Sequence, residues 1–204
     1  MKFFKWKIFL ITSAVCLLPV LLGLAMWDRL PDLIPIHFDI NNNPDNFSSK
    51  AFAVFGLPII MVLFQGFNCY ITDLSTQKHK INKKFQSISK WIIPLILLII
   101  HPTTMLYAMG VNLDIRRIVC FIVGVMLIAI GNYLPKLDFI KNYNVDSEKA
   151  RKINRFMGYE TVILGVLMLI SLFLPPIASV VCLFLLIPFT VISLVYAIVA
   201  IRRK

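Results

Sequence analysis

LPDLIPIHFDINNNPDNFSSK, residues 30–50, is a long polar segment that lies between two apolar stretches of the chain. Pro31 and Pro35 fix their own φ angles and favour extended backbone in the residues before them, so the segment leaves the preceding helix. Residues 41–44, NNNP, then supply a turn, because asparagine tolerates positive φ and proline sets the next corner. The segment is therefore predicted to be an extended loop that doubles back on itself.

Polar side chains lie between the two corners of this segment. His37, Asp39 and Asp45 are of types that bind metals, but a single imidazole gives fewer nitrogen ligands than zinc sites usually have. We therefore expect hydrogen bonds of His37 and Asp45 to hold the segment, and we predict neither a metal nor a cofactor. The candidate residues of the segment are Pro31, Ile34, Pro35, His37, Phe38, Asp39, Asp45 and Lys50.

The sequence around this segment is too apolar for a soluble domain. The chain has 204 residues, 59% of them hydrophobic, and a mean hydropathy of +0.82. At about 1.5 Å per residue, its uncharged stretches can cross, or nearly cross, roughly 30 Å of hydrocarbon. The predicted spans are 8–27, 51–72, 91–111, 118–134, 157–174 and the remainder up to 201. We predict an all-α, polytopic membrane helical bundle with about six transmembrane helices.

Basic residues set the predicted orientation. With both termini in the cytoplasm, 17 of the 21 Lys and Arg residues lie inside, and Arg29, Lys50, Arg116 and Arg117 lie outside. The net charge of +11 is then mostly anchoring charge at anionic lipid headgroups. No nucleic-acid recognition module accompanies the charge, so we predict the lipid bilayer and not nucleic acid as its partner. The predicted location is the cell membrane, as a multi-pass protein.

Four amide or imidazole side chains fall within the predicted spans. Gln65, Asn68, His101 and Asn132 need partners in protein or water, because lipid offers none. Hydrogen bonds between helices are the favoured interpretation. The alternative is a polar path through a small transporter or channel component.

Arg116 and Arg117 stand at the start of the fourth span, where the helix dipole disfavours cations. Their partner could be outer-leaflet phosphate, Asp114, or an acidic residue of the 30–50 segment. We prefer the last of these, which would make the two arginines a clamp that holds the segment on the bundle.

Two motifs of this chain resemble the SdpI family of bacterial membrane proteins. The first is the LPxxIPxHF loop of the DUF1648-type amino-terminal part of that family, and the second is GNYLPK at residues 131–136. The matching loop positions are Pro31, Ile34, Pro35, His37, Phe38, Pro44, Asp45 and Lys50. The resemblance covers the six-span layout.

The chain departs from the family after the second motif. Members commonly continue with a Gly-Ile-Arg-Thr-Pro-Trp type of segment, then a Trp and a His, whereas residues 137–160 read LDFIKNYNVDSEKARKINRFMGYE. Arg155 and Tyr159 are not equivalents of that Trp and His. We therefore do not assign to this chain any role that those residues have in the family.

The resemblance implies immunity to a membrane-active antimicrobial peptide or toxin, with a secreted peptide toxin and a cytoplasmic repressor as partners and the bacterial cytoplasmic membrane as the location. It divides the chain into a two-helix unit, 1–90, with an extracellular loop at 28–50, and a four-helix unit, 91–204, with a cytoplasmic loop at 135–157. A subunit or assembly factor of a membrane complex is a further alternative. The sequence contains no HExxH, GxSxG or phosphate-binding glycine loop, so we predict no catalytic residues.

Overall fold

The computed structural model describes residues 4–79, 83–136 and 147–202. Within these residues, six helices are long and apolar enough to cross a membrane. They are α1 Trp6–Ala25, α2 Leu57–His79, α3 Lys83–Ala108, α4 Ile115–Tyr133, α5 Ser147–Ile170 and α6 Pro176–Arg202. The predicted all-α polytopic architecture is confirmed, and the side of the membrane on which the termini lie stays a prediction.

The chain divides into two compact units. Unit 1 comprises Met1–Ser75 and Gln86–Val119, and unit 2 comprises Thr76–Phe85 and Cys120–Lys204. The sequence analysis assigned everything after residue 90 to the carboxyl-terminal part. In the structure, most of α3 and the start of α4 belong to unit 1.

The polar segment of unit 1 forms a β-hairpin, which the sequence analysis did not specify. Strand β1, Leu33–Phe38, pairs antiparallel with β2, Pro44–Ser49, and the register is irregular on both sides of His37. A short 3₁₀ turn, Trp27–Arg29, joins α1 to the hairpin. The predicted doubling back therefore occurs as two paired strands.

The core of unit 1 fixes the hairpin at its first strand. Ile34 of β1 is 1% exposed and belongs to the main cluster of buried apolar residues. At Gly23 of α1, an added Cβ would lie 2.6 Å from Val54 Cγ1, so a larger residue there would have to displace the buried Val54 side chain. The buried members of the cluster are Leu30, Ile34, Ala53, Val54 and Met105.

One turn of π-helix, Phe52–Gly56, precedes α2. The N–H of Leu57 donates to the carbonyl of Phe52, which is the five-residue spacing of a π-helix. The next bond in that register would join the carbonyl of Ala53 to residue 58. Pro58 has no N–H, so the helix itself cannot satisfy Ala53.

Glycines bring α4 and α5 into backbone contact in unit 2. An added Cβ at Gly131 would lie 2.8 Å from the carbonyl oxygen of Gly158, and one at Gly165 would lie 2.7 Å from that of Gly124. Both pairs are seven residues apart along each helix, as an antiparallel pairing requires. Small residues allow such close approach in membranes. The glycine of the GNYLPK motif is thus a packing residue.

Two helices, α3 and α5, begin eight or more residues before the spans predicted from the sequence. Helix α5 runs from Ser147 to Ile170, so its later part covers most of the predicted 157–174 span and part of the predicted 135–157 loop is helical. Helix α3 begins at Lys83, eight residues before the predicted 91–111 span. Asp146, directly before α5, lies outside the described residues.

We predict that Gly158→Ala destabilises the protein by about 1–3 kcal/mol, because the new methyl group overlaps the backbone of α4. The measurement is the midpoint of thermal unfolding in detergent micelles. Gly66→Ala is the matched control, since its Cβ would meet only the Phe9 ring, at 3.3 Å. Equal midpoints for the two variants would contradict the close packing of α4 and α5.

Candidate functional site

The tip of the hairpin is built around the carboxylate of Asp39. Its Oδ1 accepts the backbone N–H groups of Asn41 and Asn43, both at 2.8 Å. Asn42 has a φ of 68°, the left-handed conformation that asparagine tolerates and that the predicted turn at residues 41–44 uses. The hydrogen bond from the backbone of Asn43, with those from its side chain and from Asn41, lowers the pKa of Asp39.

His37 and Asp45 join the two strands. His37 Nδ1 lies 2.5 Å from Asp45 Oδ1, and both side chains are largely exposed. The sequence analysis expected hydrogen bonds of these two side chains to hold the segment, and in the structure they bond to each other. Asp39 belongs to the turn instead, and no group of three potential ligands is found within the described parts of the chain.

Asn42 attaches the hairpin tip to the segment between α3 and α4. Its Nδ2 donates to the carbonyl of Leu113 at 2.9 Å, and its Oδ1 accepts the N–H of Ile115 at 2.7 Å. Ile115 is the first residue of α4, so Asn42 caps that helix from a distant part of the chain. Phe38 adds an edge-to-face contact with Tyr107, with ring centroids 4.9 Å apart. The sequence analysis missed this role of Asn42.

Lys50 holds the base of the hairpin. Its Nζ donates to the carbonyls of Leu30, at 2.9 Å, and Trp27, at 3.3 Å, and lies 5.2 Å from the centre of the Trp27 ring. The backbone N–H of Lys50 donates to the carbonyl of Asp32 at 2.8 Å. Lysine supplies the donors that the carbonyl end of a short helix needs. Lys50 therefore has a structural role.

Arg116 and Arg117 both pair with Asp114. Arg116 Nη2 and Arg117 Nε lie 3.3 and 3.1 Å from Asp114 Oδ2. Asp114 Oδ1 also accepts the N–H of Arg117 at 2.9 Å, so it caps α4. The preferred contact was an acidic residue of the hairpin segment. The hairpin reaches the start of α4 through Asn42, and a contact of the arginines with an acidic residue of the hairpin stays a prediction.

His101 lies in α3 beneath the hairpin and is 4% exposed. Its Nε2 is 2.8 Å from the carbonyl oxygen of Ala53, the group that Pro58 leaves without a helical donor. This is a hydrogen bond to a neighbouring element, as the favoured interpretation expected. His101 Nδ1 has no hydrogen-bond partner among the described residues.

Gln65 and Asn68 link α2 to the first turns of α3. Gln65 Nε2 donates to the carbonyl of Lys90 and to Thr12 Oγ1, both at 2.8 Å. Asn68 Nδ2 donates to the carbonyl of Ser89 at 2.9 Å. These are the interhelical hydrogen bonds predicted for them. Asn132, in unit 2, has an exposed side chain.

A buried ion pair lies close to these amides, and the sequence analysis missed it. Lys90 Nζ is 2.6 Å from Asp73 Oδ1, and the two side chains are 0% and 1% exposed. Gln86 Nε2 donates to the same oxygen at 2.7 Å, and the N–H of Lys5 donates to Asp73 Oδ2 at 3.0 Å. The sequence analysis treated Lys90 as a cytoplasmic loop cation. The sequence feature that indicates such a pair is Asp73, an acidic residue one position beyond the predicted end of the 51–72 span.

Comparison with known protein families finds a match over the hairpin and the helical segments on either side of it. Residues 14–62 match the family model described as "Domain of unknown function (DUF1648)". This match marks a DUF1648-like region of the chain. This region runs from α1 through the hairpin and the π-turn into α2, so it includes Lys50 and Pro58.

A curated relative extends the similarity beyond the DUF1648 domain. Over 123 residues, which are 60% of this chain, it is 28% identical to the "Immunity protein SdpI" of Bacillus subtilis (strain 168). The matched region is 58% of the length of that relative. The resemblance to the SdpI family is confirmed. No solved structure matches the chain.

We predict that Lys90→Met destabilises the protein by about 3–5 kcal/mol, because it leaves the Asp73 carboxylate buried without its cation. The double variant Lys90→Met with Asp73→Asn should recover part of the loss. Thermal unfolding in detergent measures both.

Lys152→Met is the matched control for this test. Lys152 pairs with Glu148 at 2.9 Å, but both side chains are more than 60% exposed. Its removal should cost less than about 1 kcal/mol. A Lys90 variant as stable as the Lys152 variant would show that the buried pair is not needed for folding.

The Asp39 turn should depend on pH. Because the pKa of Asp39 is lowered in the folded hairpin, the carboxylate stabilises the turn fully above its ordinary pKa of about 3.9. This stabilisation is lost as the pH falls through the lowered folded value. Amide hydrogen exchange at Asn41 and Asn43 measures it. In Asp39→Asn, which keeps an acceptor oxygen but does not titrate, the protection should not change in that range.

Proposed function

We propose that this chain is an immunity protein that protects a bacterial cell from a membrane-active antimicrobial peptide or toxin. Two observations support the proposal: the similarity to a protein named for immunity, and a DUF1648 hairpin that is held firmly on unit 1. Lys50 fixes the base of the hairpin and Asn42 fixes its tip. Such a hairpin is a rigid surface for a ligand. No enzymatic activity is proposed.

The hairpin combines apolar and acidic groups that suit an amphipathic, cationic peptide. Leu33 is 61% exposed and Phe47 is 48% exposed, and the same hairpin carries several polar side chains. On the predicted outer side, five aspartates (Asp28, Asp32, Asp39, Asp45 and Asp114) stand against four basic residues (Arg29, Lys50, Arg116 and Arg117), for a net charge of −1. Apolar contacts would supply affinity, and the acidic groups would favour a cationic partner.

The proposal places both termini in the cytoplasm and the hairpin outside the bacterial cytoplasmic membrane. The asymmetry of basic residues supports this orientation, although one of the 17 inner ones, Lys90, is buried in its ion pair. We further propose a cytoplasmic repressor as a signalling partner, which the basic inner segments could contact.

Transport is the weaker proposal. The donors of Gln65, Asn68 and His101 are engaged with backbone carbonyls inside unit 1, which favours a packing role for these residues. A polar path would need side chains free to bind a passing solute or proton. The contacts therefore favour immunity over a transporter or channel component.

The test is expression of the chain in a bacterium that is sensitive to candidate membrane-active peptides. Cell survival should rise for at least one peptide, and the double variant Leu33→Ser, Phe47→Ser should lose the protection while it remains folded. Phe173→Ser is the matched control, because Phe173 is 88% exposed and lies outside the hairpin. Unchanged killing across the peptides would contradict the proposal.

Orientation is measured in the same cells. Asn43→Cys should react with a membrane-impermeant maleimide added to intact cells, whereas Lys84→Cys should react only after permeabilisation. The reverse pattern would place the hairpin in the cytoplasm and rule out a toxin-facing role.

A further inference from the structure

Glu160 lies in a part of α5 that has to be inside the membrane. Residues 161–174, between Glu160 and the turn at Pro175, carry no charge and extend roughly 21 Å at about 1.5 Å per residue. Backbone groups freed at this turn need water or headgroup partners, so the turn lies at or beyond the edge of the hydrocarbon. Since the hydrocarbon is roughly 30 Å thick, Glu160 falls within it.

Helix α6 places a polar side chain opposite this carboxylate. Ser193, which is 7% exposed, donates a hydrogen bond from Oγ to Glu160 Oε2. Ser193 follows the first residue of α6, Pro176, by roughly 25 Å, so it lies at a similar depth. One turn away, the rings of Phe156 and Tyr196 pack with centroids 4.5 Å apart and hold the two helices together. The carboxylate and the hydroxyl are therefore an interhelical pair within the hydrocarbon.

No cation compensates the charge of this carboxylate in the described parts of the chain, where Ser193 is its partner. An ionised carboxylate without a cation is costly in hydrocarbon, and intramembrane carboxyl groups are mostly sites of ion or proton binding. The other ionisable groups of the elements around Glu160 lie beyond hydrogen-bond and ion-pair distance of it; they are Tyr133, Lys136, Lys152, Arg155, Tyr159 and Tyr196.

The oxygens that meet here suit a proton better than a metal ion. Hard metal cations take six or more oxygen ligands, whereas one carboxyl group and one hydroxyl meet at this site. No group of three potential ligand residues occurs in the ranges that the structure describes. A serine hydroxyl can donate to a carboxylate and accept from a carboxylic acid, so Ser193 matches both forms of Glu160.

We propose that Glu160 and Ser193 form a proton-binding site inside unit 2, where the protonated carboxyl group donates to Ser193 Oγ. Binding of the proton removes an uncompensated charge from the contact between α5 and α6, and its release restores that charge. The inference goes beyond immunity and does not depend on it, because it rests on the depth of Glu160 and on its partner.

The first test uses the full chain in lipid nanodiscs and dicyclohexylcarbodiimide, an apolar reagent that adds to protonated carboxyl groups within membranes. Glu148 of the same helix is the internal control, because its side chain is 63% exposed and paired with Lys152. At neutral pH, labelling of Glu160 should exceed that of Glu148 about tenfold, as measured by mass spectrometry of peptides. Labelling of Glu160 should fall as the pH rises, since the reagent needs the acid form.

Infrared spectroscopy of the same sample tests the role of Ser193. The C=O stretch of a carboxylic acid is separate from the carboxylate bands, and this acid band should disappear in Glu160→Gln. Ser193→Ala should keep the band but move it to higher frequency, since the acid loses its hydrogen-bond acceptor. Thr190→Val is the matched control on α6, because the Thr190 hydroxyl contacts backbone carbonyls of its own helix, and it should not move the band.

Three results would overturn the proposal: equal labelling of Glu148 and Glu160, no acid band that Glu160→Gln removes, or a band that Ser193→Ala leaves in place. Protection of Glu160 from the reagent by sodium chloride, but not by choline chloride, would overturn it too, in favour of a metal cation. The labelling pattern of the unchanged chain decides the proposal even where a variant fails to fold. Loss of protection from toxins with these results intact would count against the immunity proposal only.

Discussion

A backbone carbonyl that loses its helical donor inside a membrane must find another one, and the DUF1648 domain depends on this constraint at Ala53. Pro58 removes the donor, and His101 replaces it across the gap between two helices. That hydrogen bond joins the π-turn to α3 beside the cluster that buries Ile34 of the hairpin. The proline, the histidine and the position of the hairpin are thus parts of one arrangement.

The same principle accounts for the other end of unit 1. Gln65 and Asn68 donate to carbonyls at the first turns of α3, and the buried pair of Lys90 with Asp73 lies beside them. Polar groups in this unit therefore join helices near both ends, while the middle is held by apolar contacts. Such hydrogen bonds contribute modest free energy individually, but they define which helices are neighbours.

Local chemistry made much of the fold predictable. Long apolar stretches gave the six spans, and the asparagines and the proline of residues 41–44 gave the turn, which the structure centres on Asn42. Hydrogen bonding by His37 and Asp45 was also anticipated, and in the structure the two residues bond to each other beside that turn. Each of these features depends on residues close together in sequence.

Contacts between distant residues could not be predicted in the same way. Nothing near Lys90 in the sequence distinguishes it from the other lysines of a basic segment, because its burial depends on Asp73 and on the amino-terminal segment. The cap that Asn42 provides for α4 joins residues more than seventy positions apart. Pro58 leaves the carbonyl of Ala53 in need of a donor, and His101 Nε2 supplies it. The other ring nitrogen, Nδ1, is then buried without a partner among the described residues.

The glycine contacts of α4 and α5 have a mechanical consequence. Because the contacts recur after seven residues on each helix, a shift of one helical turn would push side chains such as Leu169 and Ile128 against backbone. Sliding of one helix along the other is therefore blocked by steric overlap, and α4 and α5 must move together as a single rigid body. Any signal that crosses unit 2 through these helices has to take the form of a tilt or a rotation of the pair.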